Sequence, residues 1–187
     1  MAFNDCDCIR EYLARYPSHK VGFVVYRLTY KDDTEWAKFM DHLNAITRKK
    51  LERTSDDDLF ASIDWSVQDD PSLDGLDTDQ VRERFQQWVK DDSAGYDRKA
   101  ASDVYPRHMA CVAVDQSHVD MVLQDISSSD ANYRPQAFVQ LVSINRREYI
   151  NDRKRDGYMF PDLRSLFPRI YSLLEAPGWE SAYRDCM

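Results

Sequence analysis

Four short strand-like runs, separated by stretches of helical periodicity, set the limits on how this chain can fold. KVGFVVYRLTY (20–30) is β-branched and aromatic and reads as a strand. In SIDWSVQ (62–68), Ile63, Trp65 and Val67 alternate with Asp64, Ser66 and Gln68, the pattern of a half-exposed strand. HMACVAVD (108–115) and AFVQLVSI (137–144) complete the set. Asp32 and Asp33 precede a helix over 34–52, whose apolar face carries Trp36, Phe39, Met40, Leu43 and Ile46. Asp77 or Thr78 caps a helix over about 77–91 with Val81, Phe85, Trp88 and Val89. Ser117 caps another over 117–126, with Asp120 at the capping-box position. Outer helices are expected at 5–16, stopped by Pro17, and after Ser165 and Pro168. Residues 91–105 read as a polar loop and 145–156 as a basic surface loop.

This order predicts an α+β chain, a ferredoxin-like βαββαβ antiparallel sheet of order 4-1-3-2, with an inserted helix and helices at both termini. Residues 1–187 form one domain on this reading: core about 20–145, inserted helix about 77–91, C-terminal helical extension about 160–187. Phe23, Trp36, Phe39, Trp65 and Val112 are expected in the core. Strand 3 is apolar on both faces, so the sheet's second face must be covered by a second subunit, the terminal helices or a ligand. A homodimer through that face is the expected partner.

Charge narrows the function. Lys and Arg total 25 against 33 Asp and Glu, giving −8 and a pI near 5.0. This balance argues against nucleic acid and against an anionic membrane as partners. No apolar run approaches the ~20 residues of a spanning helix, and MAFNDCDCIREYL shows no signal-peptide pattern, so a cytoplasmic location is expected. Five glycines, at 22, 75, 95, 157 and 178, are too scattered for the Gly-rich phosphate loops or the nucleophile elbow. Cys6-x-Cys8 lacks zinc-knuckle spacing, and His19, His42, His108 and His118 are dispersed. The nine Asp from Ser55 to Asp79 lack the EF-hand order and read as solvated groups and helix caps. No metal and no cofactor is therefore expected.

The segments G-F-V-V-Y-R (22–27), D-W-x-V (64–67), D-P-x-L-D-G (70–75), V-R-x-x-F-x-x-W-V (81–89) and L-F-P-R-I-Y-x-L-L (166–174) together resemble a broad family of small proteins from filamentous fungi. Most of its members carry no assigned activity. The resemblance covers most of the chain and implies a ferredoxin-like fold and a fungal origin. It implies no catalytic residue.

One constellation stands out on the antiparallel plan. The end of strand 1 would lie beside the start of strand 3, and the end of strand 2 would flank it. Arg27, Tyr30, Asp69 and His108 would then gather at one end of the sheet. Arg27 is its anchor, because a guanidinium in an apolar strand needs a partner. Arg27, Tyr30 and Asp69 would bind a polar or anionic small molecule, with His108 as general acid or base. The function expected is an intracellular small-molecule-binding or assembly protein without intrinsic catalysis. The alternative is a cofactor-independent lyase, isomerase or cyclase holding a small apolar metabolite over the sheet.

Overall fold

A computed structural model describes residues 4–93, 105–130, 132–151 and 153–187. The elements are α1 (Asp5–Arg15), β1 (Val24–Arg27), α2 (Asp33–Thr54), β2 (Ser66–Gln68), α3 (Thr78–Ser93), α4 (Pro106–Met109), β3 (Ala110–Val114), α5 (Gln116–Ser127), β4 (Gln140–Ile150), β5 (Arg153–Met159), α6 (Tyr171–Glu175) and α7 (Trp179–Asp185). Most of the loop expected at 91–105, including Gly95, lies outside the described residues.

The α+β class holds, but the strand order does not. Among the described residues the sheet has five strands, in the order β2-β1-β3-β4-β5. β1 runs parallel to both β2 and β3, while β4 and β5 are antiparallel additions beside β3. The ferredoxin-like 4-1-3-2 arrangement is thus corrected. Its physical cause is α3. A ferredoxin-like plan joins its second and third strands as a hairpin, whereas 16 residues of helix carry this chain back across β1. Such a crossover delivers the next strand parallel. Right-handed connections also require the two crossovers to lie on opposite faces. Accordingly, α2 packs under one face with Phe23, Val25 and Val112, while α3 packs on the other with Val24, Tyr26 and Cys111.

This second layer removes the premise for a dimer. Val81 and Phe85 of α3, with Leu73, fill the face that was expected to need a second subunit, the terminal helices or a ligand. On the first face, α2 and α5 lie side by side, joined by α1, α6 and α7. Phe23, Trp36, Phe39 and Val112 are buried as expected. Trp65 is only half-buried: it precedes β2, and its indole N–H donates to Asn44 Oδ1 at 3.1 Å.

The basic stretch at 145–156 is a β-ribbon and not a loop. Across it Glu148 opposes Arg155 and Arg147 opposes Asp156, so opposite charges meet on paired strands. The register shifts between Val142 and Arg147. Gly157 sits against that irregularity, where a Cβ would run into the Asn145 carbonyl. At the turn, Asn151 takes a left-handed φ of 49° and its amide donates to Glu180 of α7.

The acidic run from Asp56 to Asp79 is distributed over four arginines from elsewhere in the chain or the next turn. Asp56 and Asp58 hold Arg10, Asp64 holds Arg107, Asp69 holds Arg27 and Asp79 holds Arg82. Arg27, Arg82 and Arg107 are themselves buried, so these pairs compensate charges that the fold has taken out of water.

Candidate functional site

The parallel alignment of β1 and β2 puts Arg27 near Asp69. Tyr26 pairs with Gln68 in the ladder, and both chains then leave the sheet at the same end. Arg27 Nε donates to the Thr29 carbonyl at 2.9 Å. Its terminal nitrogens donate to Asp33 and, at 3.3 Å, to Asp69. Its guanidinium also lies 4.4 Å from the centre of the Tyr30 ring and 5.3 Å from that of Trp36. Burial disfavours this charge, and the two carboxylates more than offset it, so its pKa rises. Burial, then Asp69, also raises the Tyr30 phenol above its ordinary value. Arg27, Tyr30 and Asp69 therefore come together, but as a closed knot in which the guanidinium already has its partners.

His108 is not part of that group. It lies on α4, which leads into β3, and β3 runs parallel to β1. The start of β3 is therefore at the opposite end of the sheet from Arg27. There His108 Nε2 meets Asp92 at 2.7 Å, and its ring packs edge-on against Tyr105. The neighbouring Arg107 is equally occupied, by the Asp64 carboxylate at 2.5 Å and the Asp64 carbonyl at 2.7 Å.

A crevice that the antiparallel plan had no place for opens at the carboxyl ends of β1 and β3. Its volume is about 270 Å³, and its wall includes Leu28, Thr78, Ala113, Asp115, His118 and Gln140. Gly75, at φ 67°, donates its amide to the Leu28 carbonyl and turns the chain from β2 toward α3. Gln140 Nε2 donates to Thr78 Oγ1 at 2.9 Å, tying β4 to the start of α3.

His118 enters this wall through helix capping. Asp115, not Ser117, is the cap of α5. Its carboxylate accepts from the His118 amide at 3.2 Å and from Ser117 Oγ at 2.6 Å. His118 Nδ1 reaches back to the Asp115 amide at 3.1 Å and lies 2.8 Å from the Asp115 carboxylate. The cap thus engages Nδ1 and leaves Nε2 outside the box. Burial pulls the His118 pKa below 6.5 against the opposing pull of Asp115, so the ring is neutral near pH 7. The D-x-x-H spacing at 115–118 is the signal that locates this histidine in the sequence.

A second crevice of about 290 Å³ adjoins the first, sharing Asp77 and Thr78 at the start of α3. Arg82 and Arg146 face Asp79 there. Arg82 is further held by the carbonyls of Ser143 and Gly157, at 2.9 and 3.1 Å. Cys111 lies between the sheet and α3, and burial pushes its thiol pKa far up, which leaves it a poor nucleophile. Among the described residues, no cluster of His, Cys, Asp or Glu is arranged to hold a metal ion. No helix among them is long and apolar enough to cross a membrane. Compared with protein-family models, curated proteins and solved structures, the chain matches none.

Proposed function

We propose that this chain is a small-molecule-binding protein without intrinsic catalysis, and that its ligand sits in the crevice at the carboxyl ends of β1 and β3. The observation that carries this reading is the wall of that crevice: a hydroxyl, an amide and an imidazole line it beside the apolar Leu28 and Ala113. Open sheets with parallel strands commonly take ligands outside the carboxyl ends of their strands, which favours this end on fold-level grounds. The crevice falls just below the about 300–1,000 Å³ typical of small-molecule sites, and its neighbour across Thr78 extends it. Asp77 and Asp115 are the charged groups of the first crevice, so they favour a hydroxyl-rich or amine-bearing ligand over an anion.

The test is an amide NMR screen with small polyols and amines. A true ligand should shift Thr78, Asp115, His118 and Gln140 together and leave the Arg27 knot unmoved. The bound compound should be recovered unchanged after long incubation. Binders that shift only other surfaces, or conversion of the bound compound, would refute the reading.

A further inference from the structure

The carboxyl half of α2 carries a cationic stripe that borders the core at Ile46. Ile46, Lys49, Lys50 and Arg53 stand at i, i+3, i+4 and i+7, and so share one helix face. With Thr54, Pro135 and Arg164 they line an open crevice of about 560 Å³. Among the described residues, every charged group in that wall is a cation, on a chain whose net charge is −8. A helix carboxyl end favours cations in its last turn. That effect explains neither the arrival of Arg164 from another segment nor the apolar floor of Ile46 and Pro135.

The walls are held from behind. Asp125 accepts from Tyr133 Oη at 2.6 Å and from the amides of Gln136 and Ala137 at 3.1 and 3.0 Å, which fixes the segment bearing Pro135. Asp162 accepts from the Arg164 amide at 2.8 Å and binds its guanidinium. Lys50 Nζ donates to the Arg164 carbonyl at 3.0 Å and so clips α2 to that segment. Among the described residues, no carboxylate pairs with Lys49, Lys50 or Arg53. Lys50 is half-buried, and burial lowers its pKa although Asp5, Asp162 and Asp185 pull the other way. A half-buried ammonium with no carboxylate in direct contact is stabilised when an anion arrives.

We propose that this crevice binds an anionic amphiphile, a phosphate, sulfate or carboxylate head on a short alkyl chain, with the head among Lys49, Lys50 and Arg53 and the chain along Ile46 and Pro135. The site is separate from the crevice at the strand ends, and its ligand has the opposite charge preference.

Decyl phosphate, kept below its micelle-forming concentration, is the probe for calorimetry. It should bind the native chain, and Lys49→Met combined with Arg53→Met should weaken it about tenfold or more, since two charged hydrogen bonds are lost. Both residues are exposed, so the double variant should keep the native circular dichroism and unfolding midpoint. Inorganic phosphate should bind about tenfold or more weakly for lack of the chain, and octyl glucoside likewise for lack of charge. No binding of decyl phosphate overturns the proposal, as does equal binding by the double variant or by either control. Sedimentation with phosphatidylglycerol vesicles, without binding of the monomeric probe, would assign the patch to a membrane surface and overturn it too.

Discussion

Across the ends of β1 and β2, the guanidinium of Arg27 stands 3.3 Å from the carboxylate of Asp69. The two partners differ sharply in environment: the Arg27 side chain is 5% exposed and that of Asp69 is 47% exposed. Asp33, on the other nitrogen, is 89% exposed. Two wet carboxylates thus neutralise one dry cation. Asp33→Asn or Asp69→Asn alone leaves one carboxylate in place, and each should cost under about 1 kcal/mol. Both together strand the buried charge and should cost about 3 kcal/mol or more. Urea unfolding of the four chains measures this coupling. Small, additive losses would show that Arg27 is hydrated and not held by the pair.

α3 should be indispensable to the sheet. Phe85 is fully buried against the second face. Phe85→Ala should cost about 3–5 kcal/mol, the range for large aromatic truncations in cores. Denaturant unfolding reads the loss. A near-neutral outcome would mean that another surface covers that face.

Thiol reactivity should separate the four cysteines. Burial pushes Cys6 up to about 12 and Cys186 up to about 11, and Cys111 is driven further still. With iodoacetamide near neutral pH, Cys6 and Cys111 should stay unmodified in the native chain and react on unfolding. Mass spectrometry of timed digests follows each site. Rapid native alkylation of Cys111 would contradict its packing between the sheet and α3.

Stability should fall as the solution becomes mildly acidic. Burial lowers the pKa of His19, His42 and His118 from 6.5. Each imidazole then takes up a proton on unfolding before it does so in the native chain. The stabilisation is complete above 6.5 and is lost as pH falls from there to the depressed native values. The slope is at most about 1.4 kcal/mol per pH unit for each ring. Asp115 and Asp162, whose pKa values lie below 3.8 in the fold, add losses only in stronger acid. Urea midpoints should therefore drop between about pH 7.5 and about pH 5.5. His118→Gln keeps a side chain suited to the capping box and should flatten part of that drop. A flat native profile would refute the assignment.

Local pattern served well for which residues are buried and poorly for where strands point. Phe23, Phe39 and Val112 follow from periodicity because burial of an apolar side chain is a local demand. The direction of β3 depends on α3 crossing back over the sheet instead of a hairpin turning the chain, and that crossing is secured only when Val81 and Phe85 find Val24 and Tyr26. The sequence did contain the hint: β3 is apolar on both faces, the habit of a strand in a parallel sheet with two covering layers. Arg27 was findable as a cation inside an apolar strand, and Asp69 with it. Asp33 passes for a helix-cap residue until the guanidinium is seen beside it. The separation of His108 from Arg27 and the crevice beside His118 both follow from strand direction, so no local pattern reveals them.

The two rims of the sheet differ in chemistry and agree in effect. One rim is β2, only three residues long, followed at once by Asp69, Asp70 and Pro71. The other is β5, which opens with exposed Arg153, Lys154 and Arg155. A strand from a neighbouring molecule would meet a very short ladder on one side and a row of like charges on the other. Short, charged or proline-flanked rims are how β-proteins resist open-ended polymerisation. The β4–β5 ribbon thus also ends the sheet in a charged rim, which disfavours the addition of a further strand there.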